Sequence, residues 1–141
     1  MKKASWIFLG LVGVLLALGS LISMSVAYLQ PPSNDIVVSA SIAQLAAGDE
    51  AVETALRGRR GTAAGFAFAF AALYLMVVVG PYRRGDVWAW WALLVSVLAL
   101  TASVLLRIPT LGTTLGVATP VALLIGTLIG LLLDVKRLLK K

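Results

Sequence analysis

The densest group of ionisable side chains lies between residues 49 and 60, inside the only sizeable polar segment of the chain. Its members are three acids and three arginines: Asp49, Glu50, Glu53, Arg57, Arg59 and Arg60. A carboxylate in this position can act as a general acid or base on a lipid or quinone headgroup. The simpler interpretation is a solvated surface that faces the headgroups, where exposed ion pairs contribute little. The sequence favours this simpler interpretation.

The amino-acid composition removes several kinds of chemistry. The chain has no cysteine, so disulfides, thiolate nucleophiles and iron–sulfur clusters are excluded. It also has no histidine, the usual ligand of haem and zinc and the usual proton shuttle at neutral pH. The sequence therefore predicts no catalytic residue, no metal site and no cofactor, and an enzyme is the less favoured class.

Four stretches carry no charge, and each is long enough to cross a bilayer. They comprise residues 4–34, 61–82, 87–106 and 108–133. A helix needs roughly 20 apolar residues to cross about 30 Å of hydrocarbon. The predicted fold is an all-α integral membrane four-helix bundle, a single membrane domain over residues 1–141. Its crossings are expected at about 5–29, 61–80, 88–106 and 114–135.

The first stretch permits two interpretations. Lys2, Lys3 and a small-residue site ending at Ala27 resemble a cleaved secretory signal. The apolar run from Trp6 to Tyr28 is 23 residues long, however, and signal cores usually have about 7–15. A retained first helix that ends before Pro31 and Pro32 is therefore favoured.

The polar segment at about 36–58 is predicted to be an amphipathic outer loop. Its apolar residues share one helical face: Ile42, Leu45, Val52 and Leu56. Gly48 is expected to interrupt the helix, and Asp49 to cap its second half. A helix or helical pair lying on the membrane surface fits this pattern. A helical cap packed over the end of the bundle fits it equally well.

Aromatic and basic residues concentrate in the turn between the second and third predicted crossings. The predicted interface anchors are Trp88, Trp90, Trp91, Arg83 and Arg84. Indoles favour the headgroup level, and arginines there can meet lipid phosphate. Trp88 and Trp91 share a helical face, whereas Trp90 points away from it. A headgroup-specific or ligand site is the alternative interpretation.

Glycine and proline predict where the helices end. The second crossing is expected to stop at Gly80 and Pro81, and Gly85 to adopt a positive φ. Asp86 is placed to cap the third helix. Arg107 and Pro109 mark the next turn, and Pro120 is either a first-turn proline or a kink.

Small residues and isolated polar groups predict the packing faces. Gly126 and Gly130 have the spacing that lets helix backbones approach closely, and Gly112 and Gly116 repeat it. Internal packing is favoured over homodimerisation. The lone polar residues of the crossings are expected to bond a neighbouring helix or a carbonyl group: Tyr74, Thr101 and Thr127.

The distribution of charge predicts the partners and the orientation. The net charge is +6, with 12 basic and 6 acidic residues, but the basic residues sit at the ends of the apolar runs. Membrane lipids are therefore the expected partners, and nucleic acid is not. Eight of the lysines and arginines fall on the side that holds both termini, and four on the other. This count predicts that both termini lie in the cytoplasm. Asp134 is expected to pair with Lys136 or Arg137.

The turn GPYRRGDVWAWW, residues 80–91, has the order Arg-Arg-Gly-acid-x-Trp-Ala-Trp. It resembles a pattern in small uncharacterised bacterial four-helix membrane proteins that are DoxX-like in layout, with short chains and a helical first outer loop. The resemblance implies this four-helix layout and a location in the bacterial cytoplasmic membrane. For some members it also implies a link to membrane redox or quinone-associated complexes. The chain has no cysteine or histidine to support a redox role of its own.

Three functional hypotheses follow from the sequence. The first is a non-enzymatic membrane protein that binds lipid or serves as an accessory or scaffold subunit, as a monomer, a homodimer or part of a larger membrane complex. The second is a small channel or transporter protomer that works as an oligomer. Against it, transporters normally carry an ionisable residue at membrane depth, and the four apolar stretches have none. The third is the headgroup enzyme already described, using Asp49, Glu50 or Glu53.

Overall fold

The chain is almost entirely helical in a computed structural model that describes residues 2–37 and 40–135. The helices are α1 (Lys2–Leu29), α2 (Ile42–Ala46), α3 (Glu50–Val77), α4 (Val87–Leu105), α5 (Arg107–Leu111) and α6 (Ala118–Leu132). Two short strands, β1 (Ile36–Val37) and β2 (Ala40–Ser41), pair antiparallel, with Ile36 opposite Ser41. The predicted all-α class is confirmed.

Within residues 2–37 and 40–135, three helical segments are long and apolar enough to cross a membrane. They are Ala4–Leu29, Glu50–Tyr82 and Val87–Leu111, and α6 is a shorter apolar helix. At 15 residues, α6 is about 22 Å long and ends within the predicted fourth crossing at 114–135. It starts late because the preceding turn holds Gly112 and Gly116 at positive φ.

The chain forms two compact units. One consists of Met1–Val14 with Ala72–Lys141, and the other of Leu15–Ala71. Helices α1 and α3 contribute residues to both units. We refer to them below as the first and the second unit.

In the second unit, the predicted outer segment at 36–58 is only partly a separate element. The β1–β2 hairpin and α2 form its first half, and Ser41 caps α2 in a reciprocal pair of bonds with Gln44. From Glu50 onward the chain belongs to α3, so the helix that contains the predicted second crossing begins well before residue 61. Residues 50–58 are thus continuous with the apolar part of α3, and their predicted position on the membrane surface stays a prediction.

The predicted start signals of α3 are confirmed. Gly48 has a φ of +87° and breaks the chain between α2 and α3. The Asp49 carboxylate accepts hydrogen bonds from the backbone N–H groups of Ala51 (2.9 Å) and Val52 (3.2 Å). Asp49 thus satisfies two of the donors that every helix leaves open at its first turn.

In the first unit, α3 does not stop at Gly80 and Pro81 as predicted. It widens into a π-helical turn over Val78–Tyr82 that includes the proline. This wider turn accommodates a residue that has no N–H to donate and whose ring clashes with a regular α-helical turn. The chain reverses at Gly85, which has the predicted positive φ, here +107°.

Asp86 occupies the N-cap position of α4, but its side chain makes no capping hydrogen bond. The carboxylate instead lies 3.9 Å from the Arg84 Nε atom. The predicted capping role of this side chain is therefore wrong.

The third long apolar helical segment also continues past the predicted end of its crossing. Helix α5 follows α4 directly, and Pro109 lies in the first turn of α5, where a missing N–H costs little. The chain turns at Gly112 instead, with a φ of +62°, and the guanidinium of Arg107 donates to the Leu115 carbonyl at 3.3 Å. Gly112 and Gly116 are turn residues, so their predicted helix-packing role is wrong. Pro120 is in the first turn of α6.

Gly126 and Gly130 bring α6 close to α1 within the first unit. A Cβ atom on Gly126 would lie 3.3 Å from Val12 Cγ2, and one on Gly130 would lie 2.6 Å from Leu9 Cγ. A side chain at residue 130 would therefore force the two helices apart. This contact is the internal packing that the glycine spacing favours.

Candidate functional site

The ionisable residues at 49–60, together with Asp35, form what we call the arginine cluster of the second unit. Within it, Arg57 caps the end of α1. Its Nε atom donates to the Ala27 carbonyl at 3.1 Å, and its Nη2 atom donates to the carbonyls of Tyr28 (3.4 Å) and Gln30 (3.1 Å). The last carbonyls of a helix have no donor within the helix and attract positive charge. Arg57 supplies both the donors and the charge.

Arg60 forms an ion pair with Asp35. Asp35 is buried, with 1% of its surface exposed, whereas the Arg60 side chain is 30% exposed. A carboxylate is buried at this depth only when a charge or hydrogen bonds compensate it. The pair thus ties the segment after α1 to α3. Sequence reasoning missed Asp35, although it is the first acid of the chain and follows directly on an uncharged stretch.

The three predicted acids of the arginine cluster do not converge on one point. Asp49 caps α3, and Glu53 lies one helical turn before Arg57, with 3.7 Å between Oε1 and Nη1. Glu50 is exposed in the first turn of α3. Asp49 and Glu53 therefore stabilise α3 and its junctions, as helix-cap and i,i+4 contacts do.

Arg59 differs from its two neighbouring arginines. It is exposed and has no ion-pair partner in the described ranges 2–37 and 40–135. It borders a shallow groove of about 530 Å³ on α3, lined by Ala55, Gly58, Arg59, Thr62, Ala63 and Phe66. We call this surface the α3 groove.

The tryptophans of the 80–91 turn divide between surface and core. Trp88 and Trp91 are 59% and 51% exposed, whereas Trp90 is only 8% exposed. The Trp90 indole donates to the Leu131 carbonyl at 3.2 Å and meets the Trp91 ring edge-on, with centroids 4.9 Å apart. Trp90 thus points away from the face of Trp88 and Trp91, as predicted, and its indole finds its hydrogen-bond partner inside the protein. The role of the three tryptophans as interface anchors stays a prediction.

The two arginines of this turn also have different surroundings. The Arg83 guanidinium lies over the Trp6 ring, 4.8 Å from its centroid, in a cation–π contact. Arg84 is 73% exposed, and its contact with Asp86 is long. Arg84, Trp88 and Trp91 thus remain available to a lipid headgroup layer.

A buried network in the first unit was not predicted, and we call it the hydroxyl cluster. The Ser5 hydroxyl donates to the Gly130 carbonyl at 2.7 Å and is hydrogen-bonded to the Tyr82 hydroxyl at 2.6 Å. Ser5 and Tyr82 are both fully buried. With the Trp90–Leu131 bond, the cluster supplies donors to two carbonyls near the end of α6. The sequence holds no spacing signal for it, since the participants are 77 and 125 residues apart.

The predicted pairing of the other lone polar groups is confirmed. The Tyr74 and Thr127 hydroxyls are 3.0 Å apart, and Thr101 donates to the Pro120 carbonyl at 3.2 Å. Asp134 is buried at 5% exposure. Its predicted partners, Lys136 and Arg137, lie outside the described residues.

No protein family, curated protein or solved structure matches this chain. The likeness of residues 80–91 to DoxX-like proteins therefore gains no support from these comparisons. A function has to be inferred from the contacts and surfaces described above.

Proposed function

We propose that this chain is a small integral membrane protein with four crossings that binds lipid on its outer surface and serves as an accessory subunit without catalysis of its own. One observation carries the proposal: large apolar side chains are exposed along the three long helices. Examples are Leu15 and Ile22 of α1, Phe66 and Met76 of α3, and Val95 of α4. Apolar surface of this extent is rarely left to water, and lipid covers it without cost.

The exposed residues of the 80–91 turn support the same proposal. Two amphipathic indoles, Trp88 and Trp91, stand beside the cation of Arg84 at the start of an apolar helix. This combination is typical of the boundary between headgroups and hydrocarbon. Together with the distribution of lysine and arginine, it favours a cytoplasmic location for this turn and for both termini.

The buried polar groups favour an accessory protein over a channel. A polar path needs hydroxyl groups that face water or an ion. In the described residues, Ser5, Tyr74, Thr101 and Thr127 instead bond other protein groups within the first unit. Such pairing stabilises a packed interior, in which each polar group has an internal partner.

Site-specific labelling tests the proposed crossings. The chain has no cysteine, so Ser33→Cys and Arg84→Cys each introduce a single reactive thiol at an exposed residue. A membrane-impermeant maleimide should label Ser33→Cys in sealed bacterial cells and Arg84→Cys only after permeabilisation. Extraction of the protein by alkaline carbonate, or labelling of both variants from outside, would refute the proposal.

A further inference from the structure

The α3 groove combines an open apolar surface with a cation at one end. Its floor is made by small residues, and among the described residues a Cβ added to Gly58 would meet nothing within 4 Å. Phe66, 72% exposed, forms the wall at the far end. Thr62 adds a hydroxyl group one turn after Gly58. The groove therefore suits a narrow apolar chain that carries a negatively charged group.

The position of the groove along α3 matches the depth of a membrane lipid. The helical segment Glu50–Tyr82 has 33 residues and is about 50 Å long, against about 30 Å of hydrocarbon. The uncharged part begins at Gly61, so Arg59 lies at the level of the headgroups. Phe66 lies seven residues further on, about 10 Å deeper. The Arg59 guanidinium and the apolar floor thus follow one another in depth in the same order as the phosphate and the acyl chain of a lipid.

The charge available at this level comes from Arg59. Arg57 is engaged by the carbonyls at the end of α1 and by Glu53, and Arg60 by Asp35. Arg59 has no such partner in the described residues, and its guanidinium can hold a phosphate oxygen through charge-assisted hydrogen bonds.

We infer that the α3 groove binds one anionic phospholipid, with its phosphate on Arg59 and an acyl chain along Gly58, Thr62 and Phe66. The inference rests on the proposed membrane location and adds to it a site and a lipid class. A lipid with a net negative headgroup is preferred over a zwitterionic one. The choline cation of a zwitterionic headgroup would be held close to the guanidinium, and the two positive charges would repel each other.

Native mass spectrometry of the full chain tests this site. The protein is reconstituted in an equal mixture of phosphatidylglycerol and phosphatidylcholine, extracted in a mild detergent and analysed for retained lipid. The wild type should retain one phosphatidylglycerol. Arg59→Gln should reduce retention about tenfold, the loss expected from one charge-assisted contact. Gly58→Leu should reduce it as strongly by filling the groove.

Two matched controls separate this site from general effects. Arg107→Gln removes another exposed arginine, at the start of α5, and Gly65→Leu adds a side chain to another α3 glycine with open space around it. Both should retain phosphatidylglycerol as the wild type does. Melting temperatures by circular dichroism confirm that each variant is folded.

Several outcomes would overturn the inference. Undiminished retention in Arg59→Gln, or equal losses in Arg107→Gln, would show that the lipid is held elsewhere or without specificity. Equal retention of phosphatidylcholine would remove the preference for anionic lipid. A dimer in the wild-type spectrum that Gly58→Leu abolishes would identify the groove as a contact between two copies. Correct labelling of Ser33→Cys and Arg84→Cys alongside any of these results would leave the proposed membrane location intact.

Discussion

The arginine cluster and the hydroxyl cluster both satisfy carbonyl groups at the end of a helix, but with different chemistry. Each supplies hydrogen bonds to the last carbonyls of a helix from a side chain on another helix. In the second unit the donor is the Arg57 guanidinium, 26% exposed, acting on the end of α1. In the first unit the donors are the neutral groups of Ser5 and Trp90, acting on the end of α6. A charged donor suits a partly solvated end, whereas burying a charge costs far more than burying a hydroxyl.

The largest effect is expected where the arginine cluster buries a charge. Arg60→Gln leaves the Asp35 carboxylate buried without its cation, which should cost about 3–5 kcal/mol of unfolding free energy. The double variant Asp35→Asn/Arg60→Gln should recover part of this loss, since no uncompensated charge remains. Unfolding in mixed micelles with increasing dodecyl sulfate measures both. Equal stability of Arg60→Gln and the wild type would mean that the pair does not form.

The next largest effect is expected at Gly130, whose carbonyl accepts the hydrogen bond from Ser5 in the hydroxyl cluster. Gly130→Leu places a side chain against Leu9 and Phe8 of α1, so these side chains or the helices must shift, which should weaken the bond from Ser5 to the residue 130 carbonyl. Overpacking of this kind should cost about 1–3 kcal/mol. Gly10→Leu is the control, because a Cβ at that residue meets nothing within 4 Å. An equal change in melting temperature for both variants would argue against close packing at Gly130.

Removal of one donor from each cluster compares the two directly. Ser5→Ala takes a fully buried donor from the Gly130 carbonyl and should cost about 1–2 kcal/mol. Arg57→Gln should cost less, because water can replace the guanidinium at a partly exposed helix end. Unfolding free energies measured in the same detergent give the order. The reverse order would show that charge, rather than burial, decides the strength of these caps.

The smallest effects are expected at the exposed tryptophans. Trp88→Phe and Trp91→Phe keep most of the apolar area and should leave stability nearly unchanged. Trp90→Phe loses the bond to the Leu131 carbonyl and should cost about 1 kcal/mol. Quenching by lipids brominated at known depths locates Trp88 and Trp91 in variants that lack the other tryptophans. Strongest quenching at the bilayer centre would contradict an interfacial position.

The sequence was sufficient for features that depend on composition or on neighbouring residues. The helical class, the cap at Asp49, the interruption at Gly48 and the positive φ of Gly85 follow from such local rules and are confirmed. The sequence was insufficient where the structure accommodates a residue that normally ends a helix. Pro81 and Pro109 were expected to end helices, but a π-helical turn and a first-turn position accommodate them.

The candidate sites were harder to predict for a different reason. The arginine cluster was visible as a run of charges, but the role of each arginine depends on which distant carbonyl or carboxylate it meets. Arg57, Arg59 and Arg60 are close in sequence and have three different environments. The hydroxyl cluster joins Ser5 to residues 82 and 130, and single serine and tyrosine residues carry no pattern that reveals such a pairing.

Because of the π-helical turn at Val78–Tyr82, the geometry of the hydroxyl cluster depends more on how many residues this turn contains than on which residues they are. A turn of this kind holds one residue more than an α-helical turn. Successive residues of an α-helix are rotated by about 100°, so losing that extra residue would turn Tyr82 away from Ser5. Deletion of Val79, which is exposed, should therefore disrupt the cluster, whereas Val79→Ala should not. Insertions and deletions in this turn are expected to be selected against in evolution even where substitutions are tolerated.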